Sequence, residues 1–550
     1  MLRGKENNFR TLILALGGLF ILIAFVYADT SDTFVNVYDS NIQFIQTPAE
    51  FPASVANTPI NQSGIISFLA TATDDGGYKY YLAVCKTDAI IAGNNAAPTC
   101  INGAWCISNE TNSGEQASCS YTIQSTDTST SYSWYAFVCN KSPTAICTSS
   151  SQGSGNSGSP FFVNHKPTLL SVNNDGSKNP GESITFSAQG SDPDAGNSLK
   201  LLICKTPGIS GIDCDGGAND TYCTSLYSGT SPACSYDIPI PTEDKNYSYY
   251  AYVFDNFNLV SSNVISGSFV VKNVIPVITN ISLNSGYDIS LVQRGVTDVV
   301  VTGTITDNNS CADITTVRTS FYRSDIGFSG CDDSSKADTN NCYPDVTCEL
   351  MTYGNKCDGS NDVSANYICH ISVQYNADPT DGNSHNIKYY DQNWRAVLKV
   401  IDNNGQTSYL EVASGVEIMS LISMNIQSSL DYGAVIRGHS TGGDPVVLDI
   451  FNTGNVGIDI EIAGSAMIGE GGSIPVENQE YGISYFTYGL GTDLSENFSE
   501  VEINIRKTLL PISPSIGKLY WGIEIPANLK AGSYTGTNRV VAVLGEVDEW

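Results

Sequence analysis

The sequence predicts an all-β chain of tandem sandwiches, and three observations carry that expectation. Short β-branched and aromatic runs alternate in period two and are broken by Gly, Asn, Asp and Pro. After the N-terminal apolar segment, no 3.6-residue periodicity of about 12 or more residues occurs. One passage is written twice: "CSYTIQSTDTSTSYSWYAFVCN" from Cys119 and "CSYDIPIPTEDKNYSYYAYVFDN" from Cys234 share a Cys-Ser-Tyr start, a polar middle and an aromatic run ending in Asn or Asp. Repeats of this size with short strands fit sandwiches of about seven to nine strands.

The 550 residues, 41% of them apolar, suffice for about three to five such cores. The chain opens with Arg3, Lys5 and Arg10, an apolar run over 12–26, and then Tyr27-Ala28 before Asp29. That order is a secretory signal peptide cut after Ala28; at the short limit of a membrane span, a retained N-terminal anchor is the other reading. With 26 Lys plus Arg against 56 Asp plus Glu, the formal charge is -30. No basic cluster follows the signal, so nucleic acid and anionic lipid are excluded as partners, and contact with a membrane is left to the N-terminal segment.

The sixteen cysteines fall in three blocks: Cys85, Cys100, Cys106, Cys119, Cys139 and Cys147; Cys204, Cys214, Cys223 and Cys234; Cys311, Cys331, Cys342, Cys348, Cys357 and Cys369. An even count in each block behind an export signal predicts disulfides closed within domains. Alignment of the repeats matches the first four cysteines of block one to the four of block two. Cys139 and Cys147 are then left over together, which predicts that they pair with each other. For the matched four, three connectivities are open, with neighbour pairing preferred.

Five segments result: 1–28, the signal peptide or anchor; 29–165, with six cysteines; 166–274, with four; 275–419, with a Cys-rich polar insertion from Gly327 to Cys369; and 420–550, without cysteine. "SGSPFFVNHKP", "SGSFVVKNVIP" and "ASGVEIMS" (413–420) read as the last strands of the first three sandwiches, and "TSSSQGSGNSGS" (148–159) as a long hairpin loop.

Two passages resemble known families. "GSDPDAGNSLKLLICK" (190–205) is similar to the acidic turn of cadherin-like and PKD-like Ig-fold repeats of prokaryotic surface proteins. Leu430, Asp431, Tyr432, Gly433 and Val435, with the turn Asn452–Asn455, resemble a strand and turn of Ig-like domains of the ASPM-SPD2-Hydin type. Together these imply an all-β fold of tandem Ig-like β-sandwich domains after an N-terminal signal helix, and a fold rather than an activity. In the cadherin-like family the acidic turn, with a second Asp turn from a late strand, holds calcium at domain junctions. Carried over by position, the ligands are Asp192, Asp194, Asn197 and Asp255. The first domain offers Asp74 and Asp75 with Asn140 in place of the late Asp, and the third offers Asp307 and Asp402. Calcium takes six to eight oxygens, which clustered carboxylates and amides supply; Asp-Pro and Asp-Gly are also ordinary turn formers.

Asparagine sequons stand at Asn61, Asn109, Asn140, Asn219, Asn246, Asn280, Asn308 and Asn497, acceptors for glycans if the host glycosylates asparagine. Catalysis is not expected. His165, His370, His385 and His439 lie in no motif, and no nucleophile elbow, zinc helix or phosphate loop occurs. Trp105, Trp134, Trp394 and Trp521 suit core packing more than sugar stacking. The expected protein is a non-catalytic, extracellular or cell-surface structural or adhesive one, an envelope layer, stalk or fibre component. Its partners would be other surface proteins, glycans or itself. Two alternatives stand beside it: a glycan- or protein-recognition module using the 327–369 insertion, and a subunit of a secreted polymer joined by edge strands.

Overall fold

The computed structural model describes residues 41–385 and 387–547; the N-terminal apolar segment and its cleavage point lie outside the described residues. Among these residues only strands, turns and short 3-10 helices occur, and no helix is long and apolar enough to cross a membrane. The chain divides into two compact units between His165 and Lys166.

In the first unit, Ile42–Phe51, Ile65–Asp74 and Gln116–Thr122 form one antiparallel sheet, and Tyr135–Asn140, Tyr80–Cys85 and Ala104–Ile107 form a second. Alternation sets their faces. Along Ile65–Asp74, Ile66, Phe68, Ala70 and Ala72 are wholly buried while the intervening residues face outward. Trp134 packs edge-on against Phe68, with ring centroids 5.3 Å apart, and its indole N–H donates to the buried Glu50 carboxylate at 2.6 Å. The bridges are Cys85–Cys100, Cys106–Cys119 and Cys139–Cys147. Since the last closes a loop with a sequence separation of 8, changing both Cys139 and Cys147 to Ser is expected to lower stability by about 2.5 kcal/mol on a chain-entropy estimate. Urea unfolding of the double variant checks it.

The second unit begins with the same plan. Thr168–Asn174, Ser183–Ser191 and Ala233–Asp237 pair in one sheet, and Thr221–Thr224, Leu199–Cys204, Asn246–Asp255 and Ile265–Val270 in the other. In chain order, the first, second and fifth strands oppose the fourth, third, sixth and seventh, which is an Ig-like arrangement. Cys204–Cys214 and Cys223–Cys234 occupy the places of the first two bridges of the preceding repeat.

The third sandwich joins its sheets into seven strands ordered Val277–Leu283, Val296–Thr306, Ser364–Gln374, Cys342–Leu350, Ile314–Arg323, Trp394–Asp402 and Thr407–Glu411. This corrects the reading of 327–369 as an insertion. Cys342–Leu350 pairs at its start with Ile314–Arg323 and at its end with Ser364–Gln374, so the segment carries the strand that links the two sheets. Its bridges are Cys331–Cys342, Cys348–Cys369 and Cys311–Cys357. The strand expected over 413–420 is not formed either. The chain pairs with Trp394 at Val416, then crosses to Ile289 at Ile418, dividing its hydrogen bonds between two partners rather than building one ladder.

The fourth sandwich sets Met424–Ile426, Val446–Asn452, Ile516–Ile523, Gln479–Gly482 and Thr492–Asp493 against Ser499–Ile505, Ile458–Gly464 and Asn538–Leu544. Residues 430–435 form no strand: they run without ladder bonds, with the Tyr432 hydroxyl 3.2 Å from the Gln479 amide oxygen. Trp521 lies at the centre of the core, joined by Ile387 from the third sandwich. Asn452–Asn455 is a buried turn pressed on the third sandwich, where Asn455 Nδ2 donates to the Ala377 carbonyl at 3.0 Å. A Cβ on Gly454 would lie 1.9 Å from the Leu421 carbonyl oxygen, so Gly454→Ala is expected to cost about 1 to 3 kcal/mol by forcing backbone apart, read by thermal unfolding.

Candidate metal site between the second and third sandwiches

Where the second sandwich passes into the third, the chain is fixed by one amide. Asn309 Nδ2 donates to the Thr242 and Lys272 carbonyls, each at 3.0 Å, and its Oδ1 accepts the Val274 N–H at 2.7 Å. Asn309 is wholly buried, so both sides of the junction are tied to a single side chain.

Beside it stands a group of acids that only folding assembles. Asp307 ends the strand Val296–Thr306, Asp313 closes a 3-10 turn, and Asp402 ends Trp394–Asp402. All three are more than nine-tenths buried. The turn geometry of each uses one carboxylate oxygen. Asp307 Oδ1 accepts the Asn309 N–H at 2.8 Å, Asp402 Oδ1 those of Asn404 and Gln406 at 2.9 and 2.7 Å, and Asp313 Oδ1 the Asn403 amide at 3.0 Å. Asp402 Oδ2 accepts from Asn273 Nδ2 at 2.8 Å. That leaves Asp307 Oδ2, Asp313 Oδ2 and Asn273 Oδ1 buried without any hydrogen-bond partner.

Three orphaned acceptors with no donor are costly unless a cation or protons balance them. The charges show the same strain. Burial, then the neighbouring Asp313 and Asp402 carboxylates, push Asp307 up to about 6. Burial raises Asp313 as well, followed by the charges of Asp244, Asp402 and Glu243; Asp244 in turn accepts from the Asn404 amide. Carboxylates and an amide, hard donors without sulfur or imidazole, are of the type calcium takes.

Sequence reasoning reached Asp307 and Asp402 and missed Asp313, Asn273 and Asp244. Asp244 and Asp313 lie outside the repeat-matched turns, and Asn273 matches Asn164 of the preceding repeat end with no acidic motif beside it. The set expected in the second sandwich stands in two turns. Asp192 Oδ1 accepts the Asp194 N–H at 2.8 Å and the Asn197 amide at 3.3 Å, and Asp255 Oδ1 accepts the N–H groups of Phe257 and Leu259. Asp192 Oδ2 is orphaned, and burial, then the charges of Asp194 and Asp255, raise the Asp192 pKa. In the first unit, Asp74 takes the Asn140 amide at 2.8 Å.

That contact corrects one sequon. Asn140 is wholly buried with its amide nitrogen engaged, so it is closed to glycosylation in the folded chain. Asn61 is half-buried, and Asn109, Asn219, Asn246, Asn280, Asn308 and Asn497 are exposed. The four tryptophans are buried in their cores. His165 is buried with Nε2 against the Asp127 carbonyl, and His370 pairs with Asp298 at the surface.

No family model and no curated protein matches the sequence. Solved structures do resemble the chain. A tetra-tandem repeat in the extending region of a large adhesion protein is 12% identical, covers 90% of this chain and 99% of that one, and has a TM-score of 0.26. The full ectodomain of mouse nectin-like molecule 4, Ig1-Ig3, is 10% identical over 65% of this chain and 96% of that one, with a TM-score of 0.28. PcdhgB3 EC1-4 is 11% identical over 69% and 76%, with a TM-score of 0.22. The likeness is one of general architecture and carries no functional weight.

Proposed function

We propose that this chain is a non-catalytic extracellular protein, structural or adhesive, in which a calcium ion at the junction of the second and third sandwiches fixes one domain on the next. The observation that carries the reading is the set of three buried, unpartnered oxygens of Asp307, Asp313 and Asn273. Water would supply the remaining positions. Bound there, the cation supplies positive charge where a chain of -30 has gathered carboxylates. Eight disulfides joining all sixteen cysteines support an oxidising, extracellular setting. Its partners are then other surface molecules or further copies of itself. Deleting 327–369 would not test recognition by that segment, because deletion would remove a sheet-linking strand.

Calorimetric titration of calcium into the chelator-stripped full chain tests the site. Saturable binding that is lost in Asp313→Asn, with magnesium binding more weakly, is the expected result. Absence of heat at millimolar calcium, with no shift in unfolding temperature, would sink the proposal.

A further inference from the structure

Between the third and fourth sandwiches lies a cleft of about 830 Å³ whose floor holds a lysine. The Lys507 side chain is 2% exposed. Its Nζ is 2.6 Å from the Asn340 side-chain oxygen and 2.9 Å from Asp378 Oδ1. Two oxygens, one of them a carboxylate, thus take two of the three hydrogens of the ammonium. Burial lowers the Lys507 pKa; the Asp378 carboxylate opposes that, and the nearby Arg323 charge adds to it.

The carboxamide facing this nitrogen is hydrogen-bonded at both its oxygen and its nitrogen. Asn340 Nδ2 lies 2.8 Å from Asp338 Oδ1 and 3.0 Å from the Leu509 carbonyl. Asn340 Oδ1 takes a second contact from Asn376 Nδ2 at 3.2 Å. The turn bearing it is closed by the Asn341 N–H on the Asp338 carbonyl at 3.0 Å and by the adjacent Cys331–Cys342 bridge. These parts correspond to the needs of acyl transfer: an amine nucleophile, a carbonyl, a donor for the developing oxyanion and carboxylates to move protons.

We propose that Lys507 and Asn340 become joined by an amide bond, a covalent clasp between the third and fourth sandwiches that the fold itself forms. Asp378 accepts a proton from the Lys507 nitrogen, and the freed lone pair attacks Asn340 Cγ as the carboxamide turns about its Cβ–Cγ bond. Asn376 Nδ2 hydrogen-bonds the oxyanion on Oδ1. Collapse forms the Nζ–Cγ amide and breaks the Cγ–Nδ2 bond. The departing nitrogen, beside Asp338, collects the two protons given up by the lysine ammonium and leaves through the cleft as ammonium. Charge and atoms balance, and no oxidant or cofactor enters. The residues joined are 167 apart in sequence.

Mass spectrometry of the purified full chain, reduced, alkylated and digested, decides the matter. The expected result is a branched peptide containing Lys507 and Asn340, lighter than its two parts by one ammonia, and its absence from Lys507→Arg. That variant keeps a cation against Asp378 and so keeps the fold testable. Unlinked Lys507 and Asn340 peptides from the folded wild-type chain would overturn the proposal. So would a branch to Asp378 with loss of water, or an ammonia deficit that persists in Lys507→Arg.

Discussion

Asp378→Ala is expected to destabilise the chain by about 3 to 5 kcal/mol, the range for stripping a buried charge of its partner. The carboxylate is 5% exposed, with Arg323 Nε at 3.1 Å on one oxygen and Lys507 Nζ at 2.9 Å on the other. Arg323 is itself 6% exposed and stacks over the Tyr389 ring at 3.7 Å. Removing the anion leaves the guanidinium buried with an aromatic face and the Gln392 oxygen as its remaining neighbours. Whatever the state of Lys507, that guanidinium cannot shed its charge. Asp378→Asn, which keeps an acceptor, should lose less. Urea unfolding of the two variants is the check; a loss below about 1 kcal/mol for alanine would mean that water reaches the pair.

Acid and calcium should act in opposite senses at the junction of the second and third sandwiches. Asp307 has its folded pKa raised from 3.8 to about 6. The folded chain therefore holds this proton more tightly than the unfolded one, and its contribution is fully present below the unfolded value and lost as pH rises through about 6. In chelator, the wild type should gain up to about 3 kcal/mol between pH 7.5 and 4 relative to Asp307→Asn, which does not titrate there. With calcium present the sign reverses, because protons then compete for the oxygens the cation needs. Thermal unfolding of both proteins across that range, with and without calcium, reads the two slopes. Parallel slopes in calcium and chelator would show that no cation binds.

Much of the fold was legible because its rules are local. Period-two alternation exposes strands such as Ile65–Asp74, and the shared loss of Cys139 and Cys147 marks a repeat against its variant. The cysteine-rich stretch 327–369 misled because Cys342–Leu350 contains Pro344, Asp345 and Glu349, polar for a strand that links two sheets. Its pairing comes from neighbours on both sides rather than from its own pattern. Asp307 and Asp402 showed themselves in repeat-matched turns, whereas Asn273, which matches Asn164 of the preceding repeat end, belongs to the connection between domains and has no acidic motif beside it. Lys507 in "INIRKTLL" has nothing beside it in sequence to suggest burial. Its partners Asp378 and Asn340 are more than a hundred residues away, and only tertiary packing brings them within reach.

The bridges of the third sandwich also limit how far it can be drawn out. Cys311 and Cys357 are separated by 46 residues, a stretch that would extend to roughly 150 Å if freed. With the bond in place a pulling force bypasses that length, passing from one sulfur to the next while the enclosed chain stays slack. A domain unravelled by shear would therefore lengthen in short, bounded steps, and its recoil would start from a tethered coil rather than an open one. The reducing power of the surroundings then governs compliance: the same sequence is a stiff spacer in oxidising medium and a long, soft one where thiols are free.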